Sequence, residues 1–107
     1  MKQNKILWTN TAKADLIEII EYIAQDSIES SIEQYEKIKK VTAQLTKFPK
    51  QGRIIPELSK QNIFKYREMV IPPWRLMYKI EQKTIFIMAI IDGRRNIEDI
   101  LFRRQLR

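Results

Sequence analysis

The stretch that decides the fold is KYREMVIPPWRLMYKIEQKTIFIMAIIDGRR, residues 65–95. It contains three apolar runs, Tyr66–Ile71, Trp74–Ile80 and Thr84–Ile91. A Pro-Pro pair separates the first two runs, and proline has no N–H to contribute to a central strand. A short polar break of hairpin length separates the second run from the third. Because the runs are rich in side chains that suit a pleated surface, they predict three antiparallel strands in a meander.

The second and third runs differ in how their apolar side chains are distributed. In the second run, Trp74, Leu76 and Tyr78 point to one face of the strand. Arg75 and Lys79 occupy the other face, which we expect to be the open face of the sheet if helices cover the first. The third run is apolar on both faces, and it therefore predicts the central strand, covered on both sides.

The first half of the chain predicts a strand and two helices. Lys5–Thr9 predicts a short strand in the same sheet as the meander. Asn10-Thr11 supplies the N-cap of an amphipathic helix, with Asp15 and other carboxylates on its polar face. Asp26 resembles the start of a capping box for a second helix of about twenty residues, and the short link makes the two helices an antiparallel hairpin. We expect the apolar stripe of the second helix to pack on the sheet and on the first helix. The stripe consists of Ile28, Ile32, Tyr35, Ile38, Val41 or Thr42, Leu45 and Phe48.

The remaining segments flank the meander. Residues 49–64 predict a loop, because proline ends the second helix and glycine permits a turn. Residues 96–106 predict a short last helix with Asn96 as its N-cap. The chain therefore predicts one α+β domain, residues 1–107, in which a short N-terminal strand and a three-stranded meander form an antiparallel sheet. A helical hairpin and a short C-terminal helix pack with this sheet.

The charge is distributed unevenly along the chain. Residues 1–48 carry seven basic and seven acidic side chains, whereas residues 49–107 carry thirteen basic and six acidic ones. The whole excess of +7 therefore lies in the half that contains the meander and the C-terminal helix. Such a basic face favours an acidic partner, either nucleic acid or an acidic protein surface.

Composition excludes several classes of chemistry. The chain has no cysteine and no histidine, so it has no disulfide, no thiol nucleophile and neither of the commonest zinc ligands. Its two glycines are far apart and form no phosphate-binding loop. We therefore expect no cofactor and no metal. No apolar run approaches the roughly 20 residues of a membrane span, and no apolar segment follows the N-terminal lysines as in a signal peptide. We expect a cytoplasmic protein with no membrane partner.

Arginines and carboxylates remain as candidates for function. A nuclease that activates the 2′-OH of RNA needs a phosphate clamp, a base and an acid. Arg67, Arg75 and Arg95 could form the clamp, and Glu57 or Glu68 could be the base. No residue is an obvious acid, which weakens the catalytic interpretation.

Two arginine pairs offer a different interpretation. Arg94 and Arg95 directly follow the third strand, where side chains are exposed yet held by a scaffold. Arg103 and Arg104 lie at the end of the last helix, where cations also interact favourably with the helix dipole. These residues are candidates for binding a target.

Six short motifs, and the order of the elements that carry them, resemble the RelE/ParE superfamily of plasmid-stabilisation toxins. Together they span nearly the whole chain. They are A-x-x-D-L-x-x-I-x-x-Y-I-A from Ala12, F-P-x-x-G-R from Phe48, P-E-L from Pro56, Y-R-E from Tyr66, W-R-L-M-Y from Trp74 and D-G-R-R-N-I from Asp92, together with the order of the elements. The resemblance implies the toxin of a type II toxin–antitoxin pair, neutralised by a small antitoxin that wraps its sheet and helices. The resemblance does not fix the oligomeric state, so a homodimer and a heterotetramer with the antitoxin both remain open.

The superfamily has two branches, and both remain open. RelE-like members cut mRNA in the ribosome, and Arg75 and Glu57 match residues of that branch. If the chain is RelE-like, the expected catalytic residues are Arg75, Arg67 and Glu57. However, Asp92 replaces a histidine that is often found there, and no tyrosine follows the Gly-Arg-Arg segment.

The long helical hairpin and the G-R-R-N-I segment are more similar to ParE, whose members carry no nuclease and inhibit DNA gyrase. The ParE-like interpretation is favoured, and whether the chain is an enzyme depends on this choice. A degenerate homologue that only binds antitoxin is a third alternative. For the ParE-like branch, the expected target-binding residues are Arg53, Arg94, Arg95, Arg103 and Arg104.

Overall fold

The computed structural model describes residues 4–106. Within this range the chain forms five strands and four helices, in an α+β arrangement that confirms the predicted fold class. In chain order these are β1 (Lys5–Trp8), α1 (Asn10–Asp26), α2 (Ile28–Leu45), β2 (Arg53–Ile54), α3 (Pro56–Ser59), β3 (Tyr66–Ile71), β4 (Trp74–Glu81), β5 (Thr84–Asp92) and α4 (Ile97–Arg103).

The five strands form a sheet in the order β1-β5-β4-β3-β2. The meander β3-β4-β5 is antiparallel, as predicted, but β1 pairs with β5 in parallel. The prediction of an entirely antiparallel sheet is therefore wrong at this edge. No hairpin turn joins β1 to β5, because residues 9–83 lie between them, so the connection does not force the two strands to be antiparallel. The central strand is β4 rather than β5, since β2 adds a strand at the far edge.

A β-bulge in β5 determines which side chains share a face. Tyr78 pairs with Ile87, whereas its neighbour Met77 pairs with Ala89, so Met88 is the extra residue. Ile87 and Ile90 lie in one buried cluster, and Met88 and Ala89 both pack in the other. The bulge thus changes the alternation of side chains after Met88. Side chains of β5 pack in both cores, so the strand is covered on both faces, as its uniformly apolar sequence predicted.

Each face of the sheet carries its own core. The first core joins α1 and α2 to the face that carries Trp74, Leu76 and Tyr78. The second core joins α3 and α4 to the opposite face, which carries Met77. The expectation that this opposite face is open is wrong, because the segment predicted as a loop, residues 49–64, contains β2 and α3 and covers part of it.

The helix caps lie one residue from their predicted positions. Thr9 caps α1 by accepting a hydrogen bond from the N–H of Ala12, and Ser27 caps α2 by accepting one from Ser30. The predicted Asn10-Thr11 and Asp26 caps are therefore wrong by one residue. Both observed caps are hydroxyl side chains, and Ser and Thr are preferred at the N-cap position together with Asn and Asp.

The N-terminal half of α2 does not pack as predicted. Ile38 and Leu45 are buried, but Ile28 is 70% exposed and Ile32 is 57% exposed. Tyr35 and Phe48, which belong to the same predicted stripe, are also exposed. The first turns of α2 thus leave an apolar surface that the described residues do not cover.

Helix α4 is fixed at both ends. The side chain of Asn96 accepts a hydrogen bond from the N–H of Asp99, which confirms the predicted N-cap. At the other end Gln105 has a φ of 61°, and the N–H of Leu106 reaches the carbonyl oxygen of Leu101. This pattern is a Schellman motif. It holds the last turn of α4 in a defined orientation on the sheet.

Candidate functional site: an arginine-rich end of the molecule

The C-terminal end of β5 leads directly into two of the predicted target-binding arginines. Asp92, the last residue of β5, accepts hydrogen bonds from the backbone N–H of Arg94 at 2.9 Å and from its guanidinium at 2.9 and 2.6 Å. The guanidinium of Arg94 lowers the pKa of Asp92 to about 2, and Asp92 raises the pKa of Arg94. The pair stays ionised throughout the physiological range, and Arg94 remains largely exposed to solvent.

The third predicted arginine, Arg104, is tied to α1. Its guanidinium donates to the two carboxylate oxygens of Asp15 at 2.8 and 3.0 Å, and this contact raises the pKa of Arg104. Asp15 also accepts the backbone N–H of Ile90 in β5 at 3.0 Å. One carboxylate therefore joins α1, β5 and the end of α4. The prediction that Asp15 lies on the exposed polar face of α1 is wrong, because Asp15 is buried.

The other two arginines at this end differ in their contacts. Arg103 forms a surface ion pair with Asp99 one helical turn earlier, at 2.8 Å. The guanidinium of Arg95 has no hydrogen bond and no ion pair with any residue between 4 and 106. Arg67 also lacks a carboxylate partner, but it donates to backbone carbonyl oxygens. Arg95 is therefore the one arginine in the described part of the chain whose guanidinium has neither a hydrogen bond nor an ion pair. Its charge acts on Asp92 only through space, where it helps to lower the pKa of that carboxyl.

Two adjoining clefts bring the four arginines together. A cleft of about 260 Å³, here called the Trp74 cleft, lies between α1, the ends of β4 and β5, and α4; Arg94, Arg95 and Arg104 line it. A second cleft of about 240 Å³ is lined by Arg95, Arg103 and Arg104. We call this set, Arg94, Arg95, Arg103 and Arg104, the arginine end. Four of the five predicted target-binding residues thus share one surface.

The fifth predicted target-binding residue, Arg53, lies elsewhere, in a buried ion cluster with Glu57, Glu68 and Arg75. Arg75 donates to both carboxylate oxygens of Glu57 at 2.8 and 2.6 Å, and to Glu68 at 2.7 Å. Glu68 accepts a second charged hydrogen bond, from Arg53, at 2.7 Å. Its side chain is fully buried, and Arg75 is only 8% exposed. The prediction that Arg75 lies on an open face with Lys79 is therefore wrong.

Two members of the buried ion cluster, Glu57 and Arg75, shift each other's pKa. The hydrogen bond from Arg75 lowers the pKa of Glu57, and Glu57 in turn raises the pKa of Arg75. The crevice beside Glu57, between α3 and α4, has a volume of about 20 Å³. This space is about that of one water molecule, and Arg75 does not line it. Because Arg75 is itself buried, a nucleotide cannot reach its guanidinium unless the covering residues move.

Arg67 does not join this cluster. In the β3–β4 pairing Arg67 lies opposite Tyr78, whereas Arg75 lies opposite Val70. Because side chains alternate along a strand, Arg67 and Arg75 project from opposite faces of the sheet. Arg67 donates instead to the carbonyl oxygen of Gly52 at 2.8 Å. The structure brings Arg75 and Glu57 together and leaves Arg67 apart from them, on the other side of the sheet.

A buried tyrosine holds the segment that carries Arg53. The Tyr78 hydroxyl accepts the backbone N–H of Gly52 at 2.9 Å and donates to the carbonyl oxygen of Pro49 at 2.7 Å. Burial raises the pKa of Tyr78. A Cβ on Gly52 would lie 2.6 Å from both this hydroxyl and the carbonyl oxygen of Glu68, so only glycine fits here. This packing positions β2 against β3.

Metal sites and membrane-spanning helices each place specific requirements on the residues that form them. Between residues 4 and 106, no three acidic, histidine or cysteine side chains are grouped so that they could hold a metal ion. Over the same range, no helix combines the length and hydropathy that crossing a membrane requires.

Sequence reasoning missed two residues of the Trp74 cleft, Asp15 and Trp74 itself. A signal for Asp15 was available, because it lies three residues after Ala12 and four before Ile19, both of which are buried. That spacing places Asp15 on the core face of α1. Trp74 was assigned correctly to the covered face, but nothing in the sequence indicates that its buried indole N–H has no acceptor among residues 4–106.

Comparison with known proteins identifies the family. The model of the ParE toxin of the type II toxin–antitoxin system parDE matches residues 6–97. Toxin ParE3 of Caulobacter vibrioides is 23% identical over 94 residues, which cover 87% of this chain and 90% of that protein. A chain of the chromosomal ParDE toxin–antitoxin system from P. aeruginosa has the same fold, with a TM-score of 0.67 and 22% identity, covering 84% of this chain and 96% of that one. The protein belongs to the ParE toxin family of type II toxin–antitoxin systems.

Proposed function

We propose that this protein inhibits DNA gyrase by binding it through the arginine end, and that a cognate antitoxin neutralises it. One observation carries the proposal: the arginines of the arginine end gather around open clefts, whereas Arg75 is buried and held by two carboxylates. An exposed surface with several arginines suits the binding of a partner macromolecule. The buried ion cluster suits a structural role, because each of its charges already has a partner.

The lack of a histidine and the lowered pKa of Glu57 support a binding inhibitor over a nuclease. The chain has no histidine, and Glu57, the best candidate for a base, has its pKa lowered by Arg75. A general base works best with a pKa near the working pH, so this shift acts against catalysis. The phosphate clamp is also incomplete, since Arg67 and Arg75 lie on opposite faces of the sheet.

The direct test is a supercoiling assay with purified gyrase and relaxed plasmid, at low and at moderate salt. We expect dose-dependent inhibition that is stronger at low salt, because screening weakens contacts between exposed charges. A basic protein could also inhibit by coating the DNA, so relaxation by a topoisomerase I on the same plasmid serves as the control and should be unaffected. Unchanged supercoiling at a large molar excess would contradict gyrase as the target.

A triple variant, Arg94→Ala with Arg95→Ala and Arg103→Ala, assigns the inhibition to the arginine end. Arg104 is left in place because its ion pair with Asp15 holds α4 to α1. We expect the triple variant to lose at least tenfold in inhibition, which corresponds to about 1.4 kcal/mol of binding free energy. The matched control removes three exposed lysines, at positions 37, 40 and 50, and should keep the inhibition. Equal losses in both variants would indicate a non-specific charge effect and would contradict the assignment.

The second candidate function is a ribosome-dependent mRNA endonuclease. The observation in its favour is that Glu57, Glu68 and Arg75 meet at distances of 2.6–2.8 Å, so a base and a phosphate-binding group are neighbours. This function requires α3 to move so that Glu57 releases Arg75. Primer extension on mRNA from cells that express the protein would detect new cuts. If cuts appear and Arg75→Ala abolishes them while gyrase is unaffected, the endonuclease replaces the gyrase inhibitor.

For the antitoxin we propose a groove on the helical hairpin. This hairpin groove has a volume of about 400 Å³ and is lined by apolar side chains of α1 and α2, with Lys13 and Lys39 among them. Ile17 and Tyr35, which line it, are 57% and 41% exposed. An amphipathic segment with acidic residues beside its apolar face fits such a groove.

Co-purification with the antitoxin tests the hairpin groove. The candidate antitoxin is the product of a small acidic reading frame next to the gene, and it would be co-expressed with the tagged toxin. Ile17→Glu should abolish co-purification, because it places a negative charge within the groove. Ile28→Glu, which alters an isoleucine that is 70% exposed and outside the groove, should leave co-purification intact. Loss with both variants, or with neither, would contradict this location.

A degenerate homologue that binds antitoxin without harming cells makes a separate prediction. Expression of the protein alone would then leave growth unchanged, and both the supercoiling assay and primer extension would be negative.

A further inference from the structure

We propose that the Trp74 cleft binds a carboxylate, namely the side chain of an aspartate or glutamate on the protein target of this toxin. The inference deepens the proposed function, on which it rests for the identity of the partner. The cleft and its chemistry are properties of this chain alone. They can therefore be tested without gyrase or any other target.

The first argument is that the guanidinium of Arg95 forms no hydrogen bond and no ion pair with residues 4–106. The other arginines that line the Trp74 cleft, Arg94 and Arg104, each donate to a carboxylate of the protein itself. Arg95 lines the same cleft and lies between it and the second cleft, yet it has no partner among residues 4–106. A guanidinium with its planar donors free can bind a carboxylate through two parallel hydrogen bonds.

The second argument is an unused donor in the wall of the cleft. Trp74 is 9% exposed, and its indole N–H has no acceptor among the described residues. Buried donors of this kind are rare, because leaving one unpaired costs free energy. Trp74 and the exposed Tyr22 both line the cleft, so a ligand there lies beside the residue that carries this unpaired donor.

The charge of the walls favours a carboxylate over a phosphate. Asp15, Glu18 and Asp92 line the cleft together with its three arginines, so the formal charge of the lining is close to zero. After the two internal ion pairs are formed, Arg95 and Glu18 remain. A singly charged carboxylate can pair with Arg95 at a distance from Glu18. A nucleic-acid backbone would bring several phosphates toward three carboxylates and a single free cation.

The size and apolar walls of the cleft favour a side chain on a protein. Its volume of about 260 Å³ is just below the range of about 300–1,000 Å³ that is typical of sites for drug-sized ligands. Ile19, Trp74 and Ile90 supply an apolar lining that suits the methylene groups of a glutamate. The cleft thus matches one acidic residue presented by a partner.

The test is a titration followed by NMR, with the Trp74 indole N–H as the reporter. Trp8→Phe removes the second indole signal, and Trp8 lies in the hairpin groove, away from the cleft. The probe is the blocked peptide acetyl-Ala-Glu-Ala-amide, which carries one carboxylate. Acetyl-Ala-Gln-Ala-amide is its uncharged match. Inorganic phosphate and a short DNA duplex represent the competing ligand classes.

We expect the glutamate peptide to shift the Trp74 indole signal in a saturable way and the glutamine peptide to bind at least tenfold more weakly. Arg95→Ala should weaken binding of the glutamate peptide by a similar factor, whereas Lys50→Ala, which removes the same charge at an exposed distant site, should not. Equal shifts by both peptides, or tighter binding of phosphate or DNA, would overturn the proposal. A negative supercoiling assay with a positive titration would reject gyrase as the partner and leave the carboxylate site standing.

Discussion

Replacement of Arg75 by alanine tests whether the buried ion cluster is structural. Arg75 makes three charged hydrogen bonds, two with Glu57 and one with Glu68, and its side chain is 10% exposed. Glu57 can turn toward solvent when Arg75 is removed, because its side chain is 21% exposed. Glu68 cannot, since its side chain is fully buried. The substitution therefore destabilises the protein mainly because it leaves the buried charge of Glu68 with one partner fewer.

The size of the stability loss in Arg75→Ala depends on the hydrogen-bond partners that Glu68 keeps. Removing one member of a buried ion pair costs about 3–5 kcal/mol. We expect about 3 kcal/mol for Arg75→Ala, at the lower end of this range, because Arg53 still donates to Glu68. Small proteins have a total stability of about 5–15 kcal/mol, so the loss is a large fraction of it. In urea unfolding, with a slope of about 1–3 kcal/mol per M, the midpoint should fall by about 1–3 M.

The measurement is urea unfolding of the purified variants, followed by circular dichroism and tryptophan fluorescence. Arg53→Ala is the matched control: the Arg53 side chain is 58% exposed and Arg75 still donates to the buried Glu68, so its loss should cost less than that of Arg75, about 1–2 kcal/mol. Arg75→Met combined with Glu68→Met removes both buried charges and should recover most of the stability. An Arg75→Ala variant with an unchanged midpoint would refute the structural role and would favour a catalytic arginine in a strained or movable site.

Three further predictions concern stability. Because the pKa of Glu57 is lowered from its ordinary value of 4.5, ionised Glu57 contributes fully to the free energy of unfolding above pH 4.5, and this contribution is lost as the pH falls through the folded-state pKa. In urea unfolding measured at a series of pH values, Glu57→Gln should therefore show a smaller loss of stability at low pH than the wild type. Tyr78→Phe leaves the buried N–H of Gly52 without its acceptor, which should cost about 1–3 kcal/mol and accelerate hydrogen exchange of that amide. Asp15→Ala removes the ion-pair partner of Arg104 and should lower the free energy of unfolding by about 2–3 kcal/mol, with faster amide hydrogen exchange in α4. Unchanged amide exchange in α4 would contradict the conclusion that this ion pair holds α4 to α1.

The sheet was predictable because its signals are local. The Pro-Pro pair and the polar break after Ile80 divide the meander, and the alternation around Trp74 identifies the helix-covered face. The parallel pairing of β1 was not predictable from the same signals, because a four-residue strand carries no mark of its direction. The two-residue strand β2 and the four-residue helix α3 were missed for a similar reason: segments so short show no periodicity.

The candidate site was predictable only in part. Gly93 and the cap at Asn96 place Arg94 and Arg95 in a turn beside α4, and the sequence indicated both features. The role of Arg75 in the fold depends on Glu57, which lies eighteen residues earlier in a segment without a recognisable pattern. Contacts between residues distant in the chain are set by tertiary packing. The same limit applies to the pairing of Asp15 with Arg104, which are 89 residues apart.

The two sets of arginines lie in different surroundings. The buried ion cluster joins β2, α3, β3 and β4 and supports the second core. The arginine end lies where β5, α1 and α4 meet, and the guanidinium of Arg95 has no hydrogen bond or ion pair there with residues 4–106. The proposed function therefore predicts that variants separate stability from gyrase inhibition, provided that the buried charges are replaced together.

The measurement that tests this account most directly is gyrase inhibition by two stable variants compared with the wild type. One is the triple variant of the arginine end, and the other is Arg75→Met with Glu68→Met in the buried ion cluster. The account predicts that the first loses at least tenfold in inhibition and that the second stays within about twofold of the wild type. If the first inhibits like the wild type and the second does not, the active residues lie in the buried cluster and the central claim is wrong.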